Sequence, residues 1–241
     1  MGRLPLRRLS PLLVFALSAC ALPFTEALDA FRAGFRGPPT VDAAKIAPKF
    51  SYLRVTNPYG TAILGLNRVE PHPDGPILVW QSVAGEVLRI QNGRLIGASG
   101  LLTEWHDVRV PSLPKWSELA ASSQAVHWKR ERDVMPGYRY GIQDELMLKV
   151  APAPARSALR ETDETTLTWF EEDVVTRWAS ASSEDKLPPA RYAVRIAGNA
   201  ETVVYGEQCL SPKLCLTWQR WSAEQQDRVR EKLAGAKGTS E

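Results

Sequence analysis

From Phe50 onward, the chain consists of short segments rich in Val, Ile, Leu and aromatic residues, several of them alternating apolar and polar positions. Residues that favour turns separate them, and Asn92-Gly93 between two alternating segments is the strongest short signal for a hairpin. The segments are FSYLRVT, TAILGLNRVE, PILVWQS, GEVLRIQ, GRLIGAS, AVHWKRERDV, YRYGIQDELMLKVA, TLTWFEEDVVTRW, ARYAVRIA, ETVVYGEQ and CLTWQRW. This pattern predicts a mainly β fold, either an antiparallel β-barrel or a two-sheet sandwich, in which closure removes most exposed strand edges.

Helical spacing of apolar residues is found near the two ends of the chain. PFTEALDAFRAGF has Thr25 as a plausible N-cap and stops at Gly37-Pro38-Pro39, which predicts a short N-terminal helix. SAEQQDRVREKLAG begins with Ser222 as N-cap and has Gln225 three residues later, the pattern of a capping box, so we predict a C-terminal helix that ends near Gly235.

The first twenty residues have the three parts of a secretory signal peptide: a basic start, a short apolar run and small residues before Cys20. The ending Leu17-Ser18-Ala19-Cys20 resembles the bacterial lipobox, in which the cysteine becomes the acylated first residue of the mature chain. Ala21, rather than aspartate, follows it, which in such lipoproteins implies sorting to the outer membrane. We therefore predict a lipid anchor on Cys20 that holds the protein at the periplasmic face of the outer membrane. An ordinary signal peptide with an incidental cysteine is the alternative.

These signals divide the chain into four parts. They are a lipoprotein signal peptide at 1–19, a lipidated N-terminus with a short helix and linker at 20–49, a single antiparallel β domain ending in a helix at 50–236, and a disordered tail at 237–241.

The net charge of +3 belongs to the precursor rather than to the mature chain. Three of the 30 basic residues and none of the 27 acidic residues lie in 1–19, so 27 of each sign remain after cleavage. A chain with balanced charge has no long-range field that would attract nucleic acid, and we predict no nucleic-acid partner.

Cys209 and Cys215 are the only cysteines left once Cys20 is acylated. Two sulfurs without convergent histidines make a poor zinc site, and their spacing is not the CxxC of redox enzymes. The strand-like segments ETVVYGEQ and CLTWQRW flank a turn at Ser211-Pro212, so a hairpin would bring the two sulfurs within bonding range. In an oxidising compartment we predict a disulfide that stabilises this hairpin.

Candidate catalytic groups are few. Glu104 and His106 are two apart on a strand and can converge. Glu171, Glu172 and Asp173 are adjacent acids in one strand. A glycosidase needs two carboxyl groups across a cleft, so Glu171 and Glu172 fit a solvated strand edge better than an acid pair. No HExxH, GxSxG or GxGxxG motif is present. We therefore expect a non-enzymatic protein without a metal or cofactor.

Aromatic residues offer a second kind of chemistry, because proteins bind sugars with aromatic faces and a few fixed polar groups. The tryptophans that could serve are Trp80, Trp169, Trp178, Trp218 and Trp221. Trp218 and Trp221 are three apart on one strand and should face opposite sides, one in the core and the other exposed or at an interface. Packing in the core remains the simpler interpretation for each tryptophan.

Several short motifs follow the lipobox in a characteristic order. They are Tyr52-Leu53-Arg54, Leu64-Gly65, Trp80, Asn92-Gly93-Arg94-Leu95 and Gly100-Leu101, followed more thinly by Trp128, Arg130 and Arg132-Asp133. In this order the chain resembles the YjbF/GfcB (YmcC-like) lipoproteins, which are linked to exopolysaccharide and group 4 capsule production. The resemblance covers Cys20 to about Trp105, and the C-terminal part departs from it.

The resemblance implies a barrel-like fold and an outer-membrane lipoprotein that serves polysaccharide production or export. Its partners would be the export or assembly proteins, or the polysaccharide itself. Candidate glycan or partner contacts are Arg54, Trp80, Arg94, Trp218 and Trp221. Two alternatives remain open: an envelope hydrolase that modifies the glycan, and a carrier of lipid or lipoprotein with a cavity inside the barrel.

Overall fold

The computed structural model describes residues 41–122, 124–175 and 186–238, with side chains described up to 235. Twelve strands make up most of this part. They are β1 (Tyr52–Asn57), β2 (Gly60–Glu70), β3 (Ile77–Gln81), β4 (Val87–Gln91), β5 (Arg94–Ser99), β6 (Glu104–Arg109), β7 (Val126–Met135), β8 (Arg139–Ala151), β9 (Thr168–Val174), β10 (Ala190–Ala197), β11 (Ala200–Ser211) and β12 (Leu214–Trp221). The helices are α1 (Trp116–Ser122) and α2 (Ala223–Gly238), with short 3-10 turns at Val41–Ala43 and Glu164–Thr166.

The strands form a closed antiparallel barrel in which each strand pairs with its neighbours along the chain. Closure comes from β1, which pairs with β12 on one side, with Val55 opposite Trp218, and with β2 on the other, with Val55 opposite Ala62. The predicted mainly β, antiparallel fold is confirmed, and of the two architectures proposed it is the barrel that forms.

The barrel interior is packed with side chains. Along each strand, alternate residues point inward, so Leu53 and Val55 of β1 meet Leu64 of β2 and Leu216 of β12 in one core. Trp80, Phe170 and Tyr192 are fully buried in the same core. The outward positions are mostly polar or covered by loops.

Two elements are not among the segments predicted from the hydrophobic pattern, although Glu104 and His106 were expected to share a strand. β6 is short and has largely exposed polar residues after Trp105, so it lacks an alternating signal. α1 spans seven residues and follows the prolines at 111 and 114, which are typical of a loop. Trp116 and Leu119 of α1 are buried in the barrel core, so packing rather than helix propensity holds this element in place.

The connections after β2, β4, β6, β8 and β10, together with the start of β1 and the end of β12, form one end of the barrel, which we call the α1 end. The Asn92-Gly93 turn lies here and joins β4 to β5, as predicted. Gly93 has a φ of +81°, and a Cβ on it would lie 2.1 Å from the side chain of Val203. Glycine is therefore required both for the turn and for its close contact with β11.

The opposite end carries the disulfide. Cys209 and Cys215 are directly paired across β11 and β12 and are joined by a disulfide bond, as predicted. α2 begins with the predicted capping box, because the Ser222 Oγ accepts a hydrogen bond from the Gln225 backbone N–H and the Gln225 side chain accepts one from the Ser222 N–H.

Several predictions concern residues outside the described part of the chain. They are the signal peptide, lipidation of Cys20, the N-terminal helix, the role of Trp178 and residues 239–241 of the predicted tail, whereas 237 and 238 belong to α2. Within the described residues, no helix combines the length and apolarity needed to cross a membrane.

Candidate binding cavity at the α1 end of the barrel

A cavity of about 310 Å³ opens at the α1 end of the barrel. Its lining includes three tryptophans and three polar residues: Trp80, Trp116, Trp218, Glu201, Thr202 and Arg220. Cavities that combine aromatic walls with a few fixed polar groups are the usual form of small-molecule sites in proteins. We call this the tryptophan cavity.

The alternation of the strands places these side chains. Trp218 and Arg220 are two apart on β12 and so share its inner face, and Trp80 lies on the inner face of β3. Trp116 comes from α1, where its indole N–H donates to the carbonyl of Asn92 and its ring packs 4.9 Å from the ring of Phe170. Three separate elements therefore converge on one cavity.

Arg220 is the cation of the tryptophan cavity. Its guanidinium lies 5.1 Å from the Trp80 ring centroid, within range of a cation–π contact. Burial lowers the pKa of Arg220, although arginine remains charged at neutral pH. Among the described residues, no carboxylate forms an ion pair with it. Its hydrogen-bonding capacity is available to a bound group.

Glu201 is the acid of the tryptophan cavity, and its carboxylate is already engaged. It accepts hydrogen bonds from the backbone N–H of Ser117 at 2.9 Å and from the Ser117 hydroxyl at 3.0 Å. Both donors lie in the first turn of α1, so Glu201 fixes the start of this helix at the barrel end. The indole N–H of Trp80 is buried without a hydrogen-bond partner among the described residues.

The predicted contact residues divide between the two faces of the barrel. Trp80 and Trp218 both line the tryptophan cavity. Arg94 lies behind it, with its guanidinium 4.0 Å from the Trp116 ring centroid and only 5% of the residue exposed. It supports a cavity wall from inside the barrel.

Arg54 and Trp221 lie on the outer face instead. Arg54 donates to Asp42 at 2.8 Å and lies 5.6 Å from the Trp221 ring centroid. The Trp221 indole N–H donates to Gln226 of α2 at 2.7 Å, and Trp221 is 3% exposed. Trp218 and Trp221 face opposite sides, as predicted, but the outward one is covered by α2 rather than exposed. Of the two, Trp218 lines the tryptophan cavity.

A buried ionic cluster lies deeper in the barrel. Asp144 accepts hydrogen bonds from the guanidinium groups of both Arg130 and Arg132, the shortest at 2.6 Å. Both arginines also lie over the ring of Trp105, at 4.6 and 5.0 Å from its centroid. Burial alone raises the pKa of Asp144, but the Arg132 hydrogen bond and the two positive charges outweigh it and hold that pKa below its ordinary value.

Glu172 is the second carboxylate inside the barrel. Its nearest cation is Arg94, with Nε 3.6 Å from Oε2, and Tyr192 donates a long hydrogen bond of 3.4 Å to Oε1. Burial raises the pKa of Glu172, and the charges of Arg94 and Arg130 only partly offset this. Burial likewise raises the pKa of Tyr192, so this hydroxyl stays protonated and can donate.

The candidate catalytic groups are separated by the fold. Glu171 points outward to Arg191 at 3.3 Å and to Lys149 at 3.4 Å. The predicted solvated edge is wrong for Glu172, because the alternation of the strand places its side chain inside the barrel. Glu104 and His106 do converge, with 2.6 Å between Oε2 and Nε2, on a strand near the disulfide end. Within the described part of the chain, no group of three His, Cys, Asp or Glu side chains is arranged to hold a metal.

Four of the six residues named for the tryptophan cavity were not singled out from the sequence: Trp116, Glu201, Thr202 and Arg220. Arg220 was recoverable, because it shares a strand face with Trp218. Trp116 was not, because it depends on α1, a helix that the surrounding prolines obscure.

Comparison with known proteins concerns the fold. No family model matches the chain, and no curated protein sequence matches it. The crystal structure of the hypothetical lipoprotein YmcC from Escherichia coli (K12) is similar, with a TM-score of 0.50 and 17% sequence identity over 80% of this chain and 94% of that chain. The chain therefore has a YmcC-like β fold.

Proposed function

We propose that this protein is a lipid-anchored, non-enzymatic accessory protein of the bacterial outer membrane that serves exopolysaccharide or capsule production. It acts at the periplasmic face by binding the polymer or the machinery that exports it. The tryptophan cavity is the observation that carries the proposal, because Trp116 and Trp218 offer aromatic faces and Arg220 and Thr202 offer polar groups beside them. Aromatic faces with a few fixed polar groups are suited to sugar rings.

The fold and the leader support the rest of the proposal. The structural neighbour YmcC is described as a hypothetical lipoprotein, and the sequence here ends its leader with Leu17-Ser18-Ala19-Cys20. β1 starts at the α1 end, so the described chain enters the barrel on the side of the cavity.

The two alternatives find less support. A glycan hydrolase would need acid groups facing each other across a cleft, and Glu171 and Glu172 lie on opposite faces of β9. A carrier would need room for a lipid chain, but Leu53, Leu88, Phe170 and Leu216 are among the side chains that fill the barrel between its ends.

Binding of the polymer tests the proposal directly. Polysaccharide purified from the source bacterium is titrated into the full chain in detergent, and bound protein is measured by co-sedimentation. We expect saturable binding that weakens at least tenfold in Trp218→Ala, and no change in Trp169→Phe, whose ring lies outside the barrel under the loop at 152–167. If Trp218→Ala and Trp169→Phe bind the polymer equally well, the tryptophan cavity is not the binding site. Equal binding of wild type to an unrelated polymer would contradict specific recognition there.

The anchor requires a separate test. Cys20→Ala removes the acylated thiol, so we expect the protein to move from the membrane fraction to the soluble periplasmic fraction. A Cys20→Ala variant that remains in the membrane fraction would contradict anchoring by this residue.

A further inference from the structure

A groove on the outside of the barrel borders the tryptophan cavity. The groove is about 850 Å³ in volume and runs between β1, the start of α2 and the loop around Glu161. Thr202 and Arg220 line both spaces, so the cavity and the groove are adjacent at these residues. A chain-like ligand that passes this point would place one unit in the cavity and further units along the groove.

Two arginines flank β11 where the cavity and the groove meet. Arg195 lies on β10 directly beside Thr202 of β11, and Arg220 lies on β12, the other neighbour of β11. Both line the groove. Among the described residues, neither forms an ion pair with a carboxylate.

Two of the three acids that line the groove, Glu161 and Asp163, are engaged by other groups. Glu161 binds Arg228 at 3.3 Å and Lys232 at 2.6 Å. Asp163 caps a short 3-10 turn by accepting from the backbone N–H and the hydroxyl of Thr165. Glu224 lies in the first turn of α2, where a negative charge is favourable. Glu201, in the cavity, is held by Ser117.

Arginine without an acid partner suits a ligand that supplies the acid. A guanidinium offers two parallel N–H donors that match a carboxylate, and the partial burial of Arg220 strengthens such a contact. Within the proposed function, on which this step rests, we infer that the ligand is an acidic polysaccharide whose sugar units carry carboxylates. One uronate unit enters the tryptophan cavity with its carboxylate on Arg220, and the chain follows the groove past Arg195.

The test compares two probes of equal length on the full chain in detergent. Tetragalacturonate carries a carboxylate on each unit and maltotetraose carries none, and binding is followed by calorimetry and tryptophan fluorescence. We expect tetragalacturonate to bind at least tenfold more tightly and its affinity to fall as salt is added, because its charges are screened.

Variants connect binding to the two arginines. Arg195→Gln and Arg220→Gln should each weaken tetragalacturonate binding about tenfold and leave the binding of maltotetraose unchanged. Arg191→Gln is the matched control, because Arg191 is on β10 as well but pairs with Glu171 and Glu207 outside the groove. Arg195 is exposed, so its variant keeps the test valid even if Arg220→Gln alters folding.

Three results would overturn the inference. The first is equal affinity for the two tetramers, and the second is unchanged tetragalacturonate binding in both arginine variants. The third is displacement of tetragalacturonate by inorganic phosphate at the same concentration of charge, which would indicate a site for any anion. Equal affinity for the two tetramers would be consistent with the proposed function acting on a neutral polymer. Failure of the acidic-polysaccharide inference is therefore distinguishable from failure of the proposed function.

Discussion

At the scale of single residues, the two carboxylates inside the barrel behave differently. Asp144 is held by two arginines through short hydrogen bonds, whereas Glu172 has one cation at 3.6 Å and an Oε2 atom without a hydrogen-bond partner among the described residues. The pKa of Asp144 is lowered and that of Glu172 is raised, although both are buried. The difference lies in the number and closeness of the positive charges.

We predict that Asp144→Asn lowers the free energy of unfolding by about 3–5 kcal/mol, because it leaves two buried arginines without their counter-charge. Chemical denaturation at pH 7 measures this loss. Asp107→Asn is the control, because its pair with Arg109 is exposed and should contribute less than about 1 kcal/mol. A loss in Asp144→Asn no larger than that in the control would contradict the role assigned to this cluster.

The same pair of carboxylates predicts opposite responses to pH. The folded pKa of Asp144 lies below its ordinary value of 3.8, so its contribution is complete above that pH and is lost as pH falls through the lowered folded pKa. The folded pKa of Glu172 lies above 4.5, so this group reduces stability as pH rises from 4.5. We expect Glu172→Gln to flatten the decrease in stability on the alkaline side of pH 4.5, as measured by melting temperatures between pH 4 and 8. An unchanged profile would contradict a raised pKa at Glu172.

At the scale of elements, the β11–β12 hairpin combines strand pairing with a covalent bond. Cys209 and Cys215 are opposite each other in the register and close a short loop. We predict that Cys209→Ser with Cys215→Ser lowers the free energy of unfolding by roughly 2 kcal/mol, the chain-entropy value for such a loop. Reduced wild type should show the same loss in denaturant. Two free thiols in non-reduced wild type, detected by mass spectrometry, would overturn the bond.

Gln226 connects α2 to the start of the described chain through hydrogen bonds. Gln226 is fully buried, donates to the carbonyls of Val41 and Ala44, and accepts from the indole N–H of Trp221. Three hydrogen bonds at about 1 kcal/mol each predict a loss of about 2–3 kcal/mol in Gln226→Ala.

Hydrogen exchange distinguishes this role of Gln226 from a general loss of stability. In Gln226→Ala, the backbone amides of 41–44 should exchange faster than in wild type, and this increase should exceed that of the amides in β4 and β8. Glu231→Ala, at an exposed position of the same helix, should leave both unchanged. A uniform increase in amide exchange rates throughout the barrel would contradict a local role of Gln226 in holding 41–44 against α2.

At the scale of the whole molecule, the sequence predicted the strands but not the polar interior. β7 explains why: His127, Lys129 and Glu131 mark one face as wet, yet Arg130 and Arg132 on the other face are polar as well. Trp128 and Val134 share this second face, so the two arginines interrupt an apolar pattern. Their place inside the barrel depends on Asp144 of the neighbouring strand β8, which pairs with Arg130.

The candidate site was likewise predictable only where it depends on the strands. Trp80 and Trp218 followed from their strands, whereas Trp116 required the position of α1. The link between the cavity and the groove required the closed register of β10, β11 and β12. Tertiary packing, which no local pattern contains, supplies each missing part.

The central claim is that this protein serves polysaccharide production or export, and the extracellular polysaccharide of a strain lacking the gene tests it most directly. We expect deletion to lower the secreted polymer and the wild-type gene to restore it. The Trp218→Ala gene should restore less, at equal protein level in the membrane fraction. Unchanged secreted polysaccharide in the deletion strain would contradict the account.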